Sequence, residues 1–287
     1  MSLFDWFKKK QLKPAIRSNV FEQPPQPEEQ ANNPRLAEIL DYLKAQTAVP
    51  AYRLLFDAES ETGIFDSKLG GVPYWNAAMP YPTDANGNAL YLLLQLNLDA
   101  LQLDDERLPQ GGMLQVFISS LDEDNCRVIY HPLIDETAMP PGDIPVIPCD
   151  DSVPVLREAA VRLEAFEDVI STSCYHFDAA WKEAVAAVTG EELGDTEWTD
   201  YLSDADRDTV FQNFGGEGSK LFGYPIFTQW DPREEGTPYP VMLLQIDSDL
   251  KDRITMWGDC GEGNFFIGEE ALAAHHFDDI LYYWDCC

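Results

Sequence analysis

Positive charge is scarce in this sequence. Its 287 residues include 19 Lys and Arg against 51 Asp and Glu, a formal net charge of −32. A field of that sign repels phosphate backbones and excludes nucleic-acid binding as the working expectation. Long apolar runs are missing too. Nothing approaches the roughly 18 residues a membrane span needs, and no apolar stretch precedes a small-residue cleavage site. There is no GxxxxGK phosphate loop, and GDCGEG has the wrong glycine spacing for a dinucleotide fingerprint. The six cysteines (Cys126, Cys149, Cys174, Cys260, Cys286, Cys287) contain no CxxC pair. The vicinal pair at 286–287 is poor disulfide geometry, so free thiols in a reducing, cytoplasmic setting are expected.

Apolar material is plentiful: 45% of residues are hydrophobic and 12% aromatic, enough for a sizeable core. The charge is unevenly spread. Residues 1–17 hold Lys8, Lys9, Lys10, Lys13 and Arg17 against Asp5, a local +4, which leaves −36 on residues 18–287. Such a body attracts a basic protein, a cation or a metal, although the same acidity also simply keeps a protein in solution.

MSLFDWFKKK places Leu3, Phe4 and Phe7 on one helical face ahead of three lysines. It reads either as an amphipathic tip for weak membrane or partner contact, or as a frayed or docked end. Residues 18–33 (with QPPQPEEQANN) read as a tether, and the folded domain is expected over 34–287. Leu36, Ile39, Leu40 and Leu43 predict a helix over 34–46, with Asn33 before Pro34 as its N-cap. Strands are expected at 52–58, 90–98, 113–119 and 127–132, with a reversal at Asn86-Gly87. A surface crossing is expected over 139–148. Residues 155–170 are helical by composition, but Val161, Leu163 and Ala165 alternate with charges and favour a strand. Helices follow at 177–188 and 201–214, strands at 241–247, 253–259 and 263–268, a short helix at 269–275 and a closing strand ILYYWD.

One phrase is written twice. SKLGGVPYW (67–75) returns as SKLFGYPIF (219–227), LLLQLNLDAL (92–101) as MLLQIDSDL (242–250), and GGMLQVFI (111–118) as GEGNFFI (261–267). The blocks keep their order, with Pro73 over Pro225, Gln95 over Gln245 and Phe117 over Phe266. They predict two pseudo-repeats, about 51–150 and 151–287, packed into one body. Gly71 and Gly223 permit turns a side chain would forbid. Gln95 and Gln245, in strands apolar on both faces, must satisfy their amides, against a turn backbone or across the pseudo-symmetry axis. The expected fold is α+β, largely antiparallel strands with a few helices.

The blocks GGVPYW, YPTDANGNALYLLLQLNLDAL, LPQGGMLQVFI, RVIYHP, KLFGYPIFTQWDPR, LLQIDSD, MWGDCGEGNFFI and LYYWDC occur in this order. Together they closely resemble the YwqG-like family, bacterial proteins grouped as a domain of unknown function, over about residues 50–287. The resemblance implies an α+β fold rich in antiparallel strands, a cytosolic setting and no established activity. The neighbourhood of some members to toxin–immunity systems implies an immunity-like role. Two departures stand out. Residues 1–34 lie outside the family blocks, and Cys260 stands in WGDCG where the resemblance leads to a small residue such as alanine, which argues against a family-wide cysteine nucleophile.

No catalytic constellation emerges. Cys260 with His275 or His276 would need a contact that spacing does not supply. Cys174-x-His176, His275-His276 and Cys286-Cys287 lack zinc-ribbon spacing, and the loop DADRDTVFQNFG lacks the glycine and glutamate of a calcium site. No cofactor and no metal are expected, and among 51 acids no glycosidase-like pair stands out. What remains is a cluster of candidate binding residues on FTQWDPR, MLLQID and MWGDCG: Gln229, Trp230, Asp231, Arg233, Gln245, Trp257 and Asp259. Tryptophan beside aspartate near strand ends suits a binding surface, while Trp257 in the core and Asp259 at a tight turn suit a structural role equally. The expectation is a non-enzymatic interaction protein engaging a basic protein partner through its acidic surface. The alternative is a hydrolase or small-ligand-binding protein with a site near the WGD and TQWDPR segments.

Overall fold

The computed structural model describes residues 32–76, 78–121, 125–139 and 152–287. The expected tip and nearly all of the tether lie outside them, as does most of the crossing at 139–148. The described residues belong to one unit, Asn32–Cys287.

Ten strands form one sheet in which every hydrogen-bonded neighbour is antiparallel. They are β1 (Val49–Asp57), β2 (Lys68–Leu69), β3 (Tyr91–Asn97), β4 (Met113–Ile118), β5 (Cys126–His131), β6 (Ala159–Asp168), β7 (Lys220–Leu221), β8 (Val241–Asp247), β9 (Glu262–Ile267) and β10 (Ile280–Asp285). The order is β10-β9-β8-β7-β1-β6-β2-β3-β4-β5, and the two end strands approach each other, with Tyr130 of β5 edge-on at 6.4 Å to Phe277, which lies just before β10. The sheet is thus a near-closed barrel, and the fold is α+β. Full closure would remove the exposed edges; here one seam is left between β5 and β10.

The middle of the sheet explains why the halves of the chain cannot separate. β1 and β6 pair over nine residues, from Val49 opposite Asp168 to Asp57 opposite Ala160. Each then carries a two-residue strand from the other half: β7 joins β1, and β2 joins β6. The alternation of Val161, Leu163 and Ala165 with charges wins over helical composition, because Ala159 and Val161 are buried in the barrel core and Leu163 packs against it, while Ala165, farther along the strand, is exposed.

Gln95 and Gln245 both satisfy their amides against turn backbone. Gln95 Oε1 accepts from Tyr74 N at 2.8 Å while its Nε2 donates to Ile64 O and Asp66 O. Gln245 Oε1 accepts from Ile226 N at 2.8 Å while its Nε2 donates to Gly216 O and Gly218 O. Each glutamine faces the lysine of a short strand, Lys68 or Lys220, in the ladder. Those lysines are buried, Lys68 Nζ lying 3.4 Å from Glu158 and Lys220 Nζ 2.8 Å from Asp168. Gly71 and Gly223 sit at φ +73° and +86°, and a Cβ on either would strike those same carboxylates. Trp75 on Phe117 and Phe227 on Phe266 cover the outer faces of β4 and β9.

Helices pack into a separate apolar cluster. Leu36, Ile39, Leu40 and Leu43 of α1 (Leu36–Thr47) meet Phe177, Trp181 and Val185 of α3 (Phe177–Thr189), with Trp198 and Val210. The remaining helices are short: α2 (Leu98–Leu101), α4 (Trp198–Tyr201), α5 (Asp204–Asn213) and α6 (Glu269–Ala273). Three expectations need correction. The first helix starts at Leu36, two residues later than expected, and Asn33 closes the turn that leads into it, its Oδ1 accepting from Arg35 N and its carbonyl from Leu36 N. The single helix over 201–214 is two, because Ser203 in extended conformation caps α5 by accepting from Asp206 N. The strand over 253–259 is only a pair of isolated bridges, Thr255 with Val155 and Trp257 with Gly261. Left-handed Arg253 (φ +52°) and Gly258 (φ +57°) interrupt the extended run at both ends.

Candidate functional site

The loop leaving Phe227 carries four of the candidate residues, and it is pinned on both flanks. On the near side, Thr228 N and Oγ1 donate to the Glu262 carboxyl group, the hydroxyl at 2.9 Å. Gln229 N donates to Asp285 Oδ2 at 3.0 Å, and Gln229 Nε2 to Cys286 O at 2.6 Å. On the far side, Asp231 and Arg233 form a two-pronged pair, Nε to Oδ1 at 2.9 Å and Nη2 to Oδ2 at 2.8 Å. Arg233 N and Tyr175 N also donate to Asp231, and Arg233 Nη1 donates to Pro240 O. The guanidinium lies 3.9 Å from the centre of the Phe266 ring, a cation–π contact inside the protein. Both side chains of this pair are buried.

Between these anchors stands Trp230, with 63% of its surface exposed. That figure separates it from Trp257, which is fully buried at 0% and belongs to the barrel core. The indole of Trp230 therefore contributes little to folding, although the loop that carries it is tied to Glu262, Asp285, Cys286, Tyr175 and Pro240.

The residues holding the loop's near side sit opposite each other on adjacent strands, Glu262 on β9 and Asp285 on β10. They are 3% and 5% exposed, so the pair is out of water. Burial first, and the hydrogen bond to Asp285 second, push the Glu262 carboxyl up to about 8. At neutral pH Glu262 holds a proton and shares it with its neighbour. Asp247, beside Glu262 on β8, is also pushed up by burial. The carboxyl pair has the composition of an acid–base dyad, but its oxygens are committed to the amides of Thr228 and Gln229.

Gln245 does not reach the loop surface; it braces Ile226, two residues before Thr228. Asn264 Nδ2 donates to Ile226 O at 2.9 Å from the next strand, completing the brace. Trp257 and Asp259 lie on the neighbouring hairpin 257–261. That hairpin and Gln229 both contact Cys286, Gly258 by pressing against its side chain and Gln229 through its carbonyl. The WGD and TQWDPR segments thus converge on residues 285–287. Cys260 contacts Cys287, while His275 Nε2 meets Glu106 O, so each has a partner other than the one a Cys–His nucleophile would need.

Sequence reasoning did not single out Thr228, Glu262 or Asp285. One signal was available for Glu262: in the aligned blocks GGMLQVFI and GEGNFFI it stands over Met113, an acid where the other strand carries an apolar residue. His131, opposite Met113 in the ladder, marks the place that Asp285 takes opposite Glu262.

A cavity of about 540 Å³ opens elsewhere, at the seam between β5 and β10. Tyr81, Thr83, Arg127, Ile129, Phe277 and Asp278 are among its walls. No helix of the described residues is long and apolar enough to cross a membrane.

Comparison with curated proteins gives no match. The family model described as "Domain of unknown function (DUF1963)" matches residues 67–286, from the first short strand to the end of the last. The match takes in the barrel strands from β2 onward, the pinned loop and the carboxyl pair beneath it, and the chain belongs to the DUF1963 family.

Proposed function

We propose that the chain is a non-enzymatic interaction protein that docks a basic protein partner on the loop 228–235, with Trp230 as the anchor. The observation that carries this reading is a largely exposed tryptophan on a loop fixed at both flanks. Tryptophan is enriched among residues that dominate binding energy, and a loop already in place loses little entropy when it binds. Glu234 and Glu235, exposed on the same loop, and the −36 on residues 18–287 favour a basic partner and speed its approach. An immunity-like role, neutralising a basic protein, is the form of this reading that the YwqG-like resemblance supplies.

The alternative, a hydrolase or small-ligand site near WGD and TQWDPR, draws less support. The buried carboxyl pair there clamps the loop, and the open cavity lies at the seam. We also read the body as two pseudo-repeats, 51–150 and 151–287. The matched glutamine, lysine and glycine arrangements support this, as does the shift in register shared by β3/β4 and β8/β9.

Co-purification from native lysate at low salt tests the docking reading. Trp230→Ala is expected to lose the enriched partner, a weakening on the order of 30-fold or more for an aromatic anchor, with the melting temperature unchanged. An identical partner set at equal yield for the variant and the parent chain would overturn it.

A further inference from the structure

The hairpin 257–261 approaches residues 285–287 through two glycines. The side chain of Cys286 fills the space a Cβ on Gly258 would take, and a Cβ on Gly261 would run into Asp285 O. The turn is closed by Cys260 N and Gly261 N, which both donate to Trp257 O. This close approach sets Cys260 Sγ 3.8 Å from Cys287 Sγ. A carboxylate oxygen of Asp259 joins them, and the three donor atoms all lie within 4.8 Å of one another.

That spacing is longer than a disulfide and fits a shared metal ion. A disulfide needs its sulfurs at about 2.05 Å. Two thiolates on one tetrahedral metal, each about 2.3 Å from it, stand about 3.8 Å apart, and a carboxylate oxygen on the same metal stands about 3.6 Å from each sulfur. We propose that Asp259, Cys260 and Cys287 bind a soft divalent cation of the zinc class, with two thiolates and one carboxylate as ligands and the fourth position open to solvent. The sulfur ligands select such a cation over magnesium or calcium, which prefer all-oxygen shells. On loading, each thiol releases its proton to solvent and the cation takes its place between the sulfurs. The bound ion ties the hairpin to the end of β10 and so stabilises the folded chain. Cys286 takes no part, since its side chain is turned onto Gly258.

The reduced full chain titrated with Co²⁺ alone tests this. The expected result is one equivalent bound, with a sulfur-to-cobalt charge-transfer band, the intense visible bands of a tetrahedral site, and their loss when Zn²⁺ is added. Cys260→Ser and Cys287→Ser are each expected to abolish the charge-transfer band, and Cys286→Ser to keep it. Zn²⁺ is expected to raise the melting temperature of the parent chain and of Cys286→Ser, and to leave that of Cys260→Ser unmoved. The ligand positions are exposed or half-exposed, so the serine variants fold. Absence of the band in the parent chain, or its survival in both ligand variants, would overturn the proposal.

Discussion

Replacing Arg233 with methionine will destabilise the protein by about 3–5 kcal/mol, the usual cost of removing one partner from a buried ion pair. The reason lies in what stays behind. The Asp231 carboxylate keeps the backbone amides of Arg233 and Tyr175 as donors, but it loses both guanidinium bonds and remains out of water. Phe266 loses the cation stacked on it, and Pro240 O loses its donor. Against a typical total stability of about 5–15 kcal/mol the effect is severe. Denaturant titration will show a lower midpoint for Arg233→Met. The double variant Asp231→Asn with Arg233→Met will recover much of the loss, because the abandoned charge is gone. A cost below about 1 kcal/mol, typical of an exposed pair, would show that the pair does not hold the loop. So would a double variant no more stable than Arg233→Met.

The second large effect is a dependence of stability on pH. Glu262 has an ordinary value of 4.5 and is pushed up to about 8 in the folded chain. Between those values the folded state holds a proton that the unfolded chain releases. The stability this group contributes is therefore complete below about pH 4.5 and is lost as pH rises through about 8, at about 1.4 kcal/mol for each unit of displacement. Denaturation midpoints measured from about pH 5 to about pH 9 will fall for the parent chain. Glu262→Gln keeps an acceptor for Thr228 N and a donor for Asp285 without the titration, and its slope will be flatter over the same window. Asp247, displaced in the same direction by burial, stays in both proteins, so the difference between the two slopes reports Glu262 together with its partner Asp285. Equal slopes would mean that Glu262 carries no native-state proton.

Much of the barrel was legible from residue patterns. Leu36, Ile39, Leu40 and Leu43 announce α1 because their spacing leaves them one common face. The charge alternation around Val161 and Leu163 announces β6 for the corresponding reason at period two. Gln95 and Gln245 could be read as buried amides that need partners, but turn backbone and the pseudo-symmetry axis were equally open, and only the structure shows the turns. The two-residue strands β2 and β7 were not legible. Two residues have no period, and their pairing depends on partners some 90 to 170 residues away in the chain. The strand expected over 253–259 failed because residues at positive φ, Arg253 among them, interrupt it, and nothing in an arginine side chain foretells that.

The site was legible in part. Tryptophan and aspartate side by side in FTQWDPR marked the loop, and Asp231 with Arg233 is the pair that holds it. The same pattern in MWGDCG marked a core tryptophan, because burial of an indole depends on what packs over it, here Trp284 and Tyr282. Glu262 and Asp285 escaped notice because each is one acid among 51, and only strand register makes them neighbours.

Trp230 stands on a loop that is already fixed in the free protein. Amide hydrogen exchange at Thr228 and Gln229 tests it most directly, since their N–H groups donate to Glu262 and Asp285. Slow exchange is expected at both amides in the free chain, comparable with the barrel strands, and fast exchange at Gln229 once Asp285 is replaced by alanine. Exchange at both positions as rapid as in an unstructured loop would contradict it.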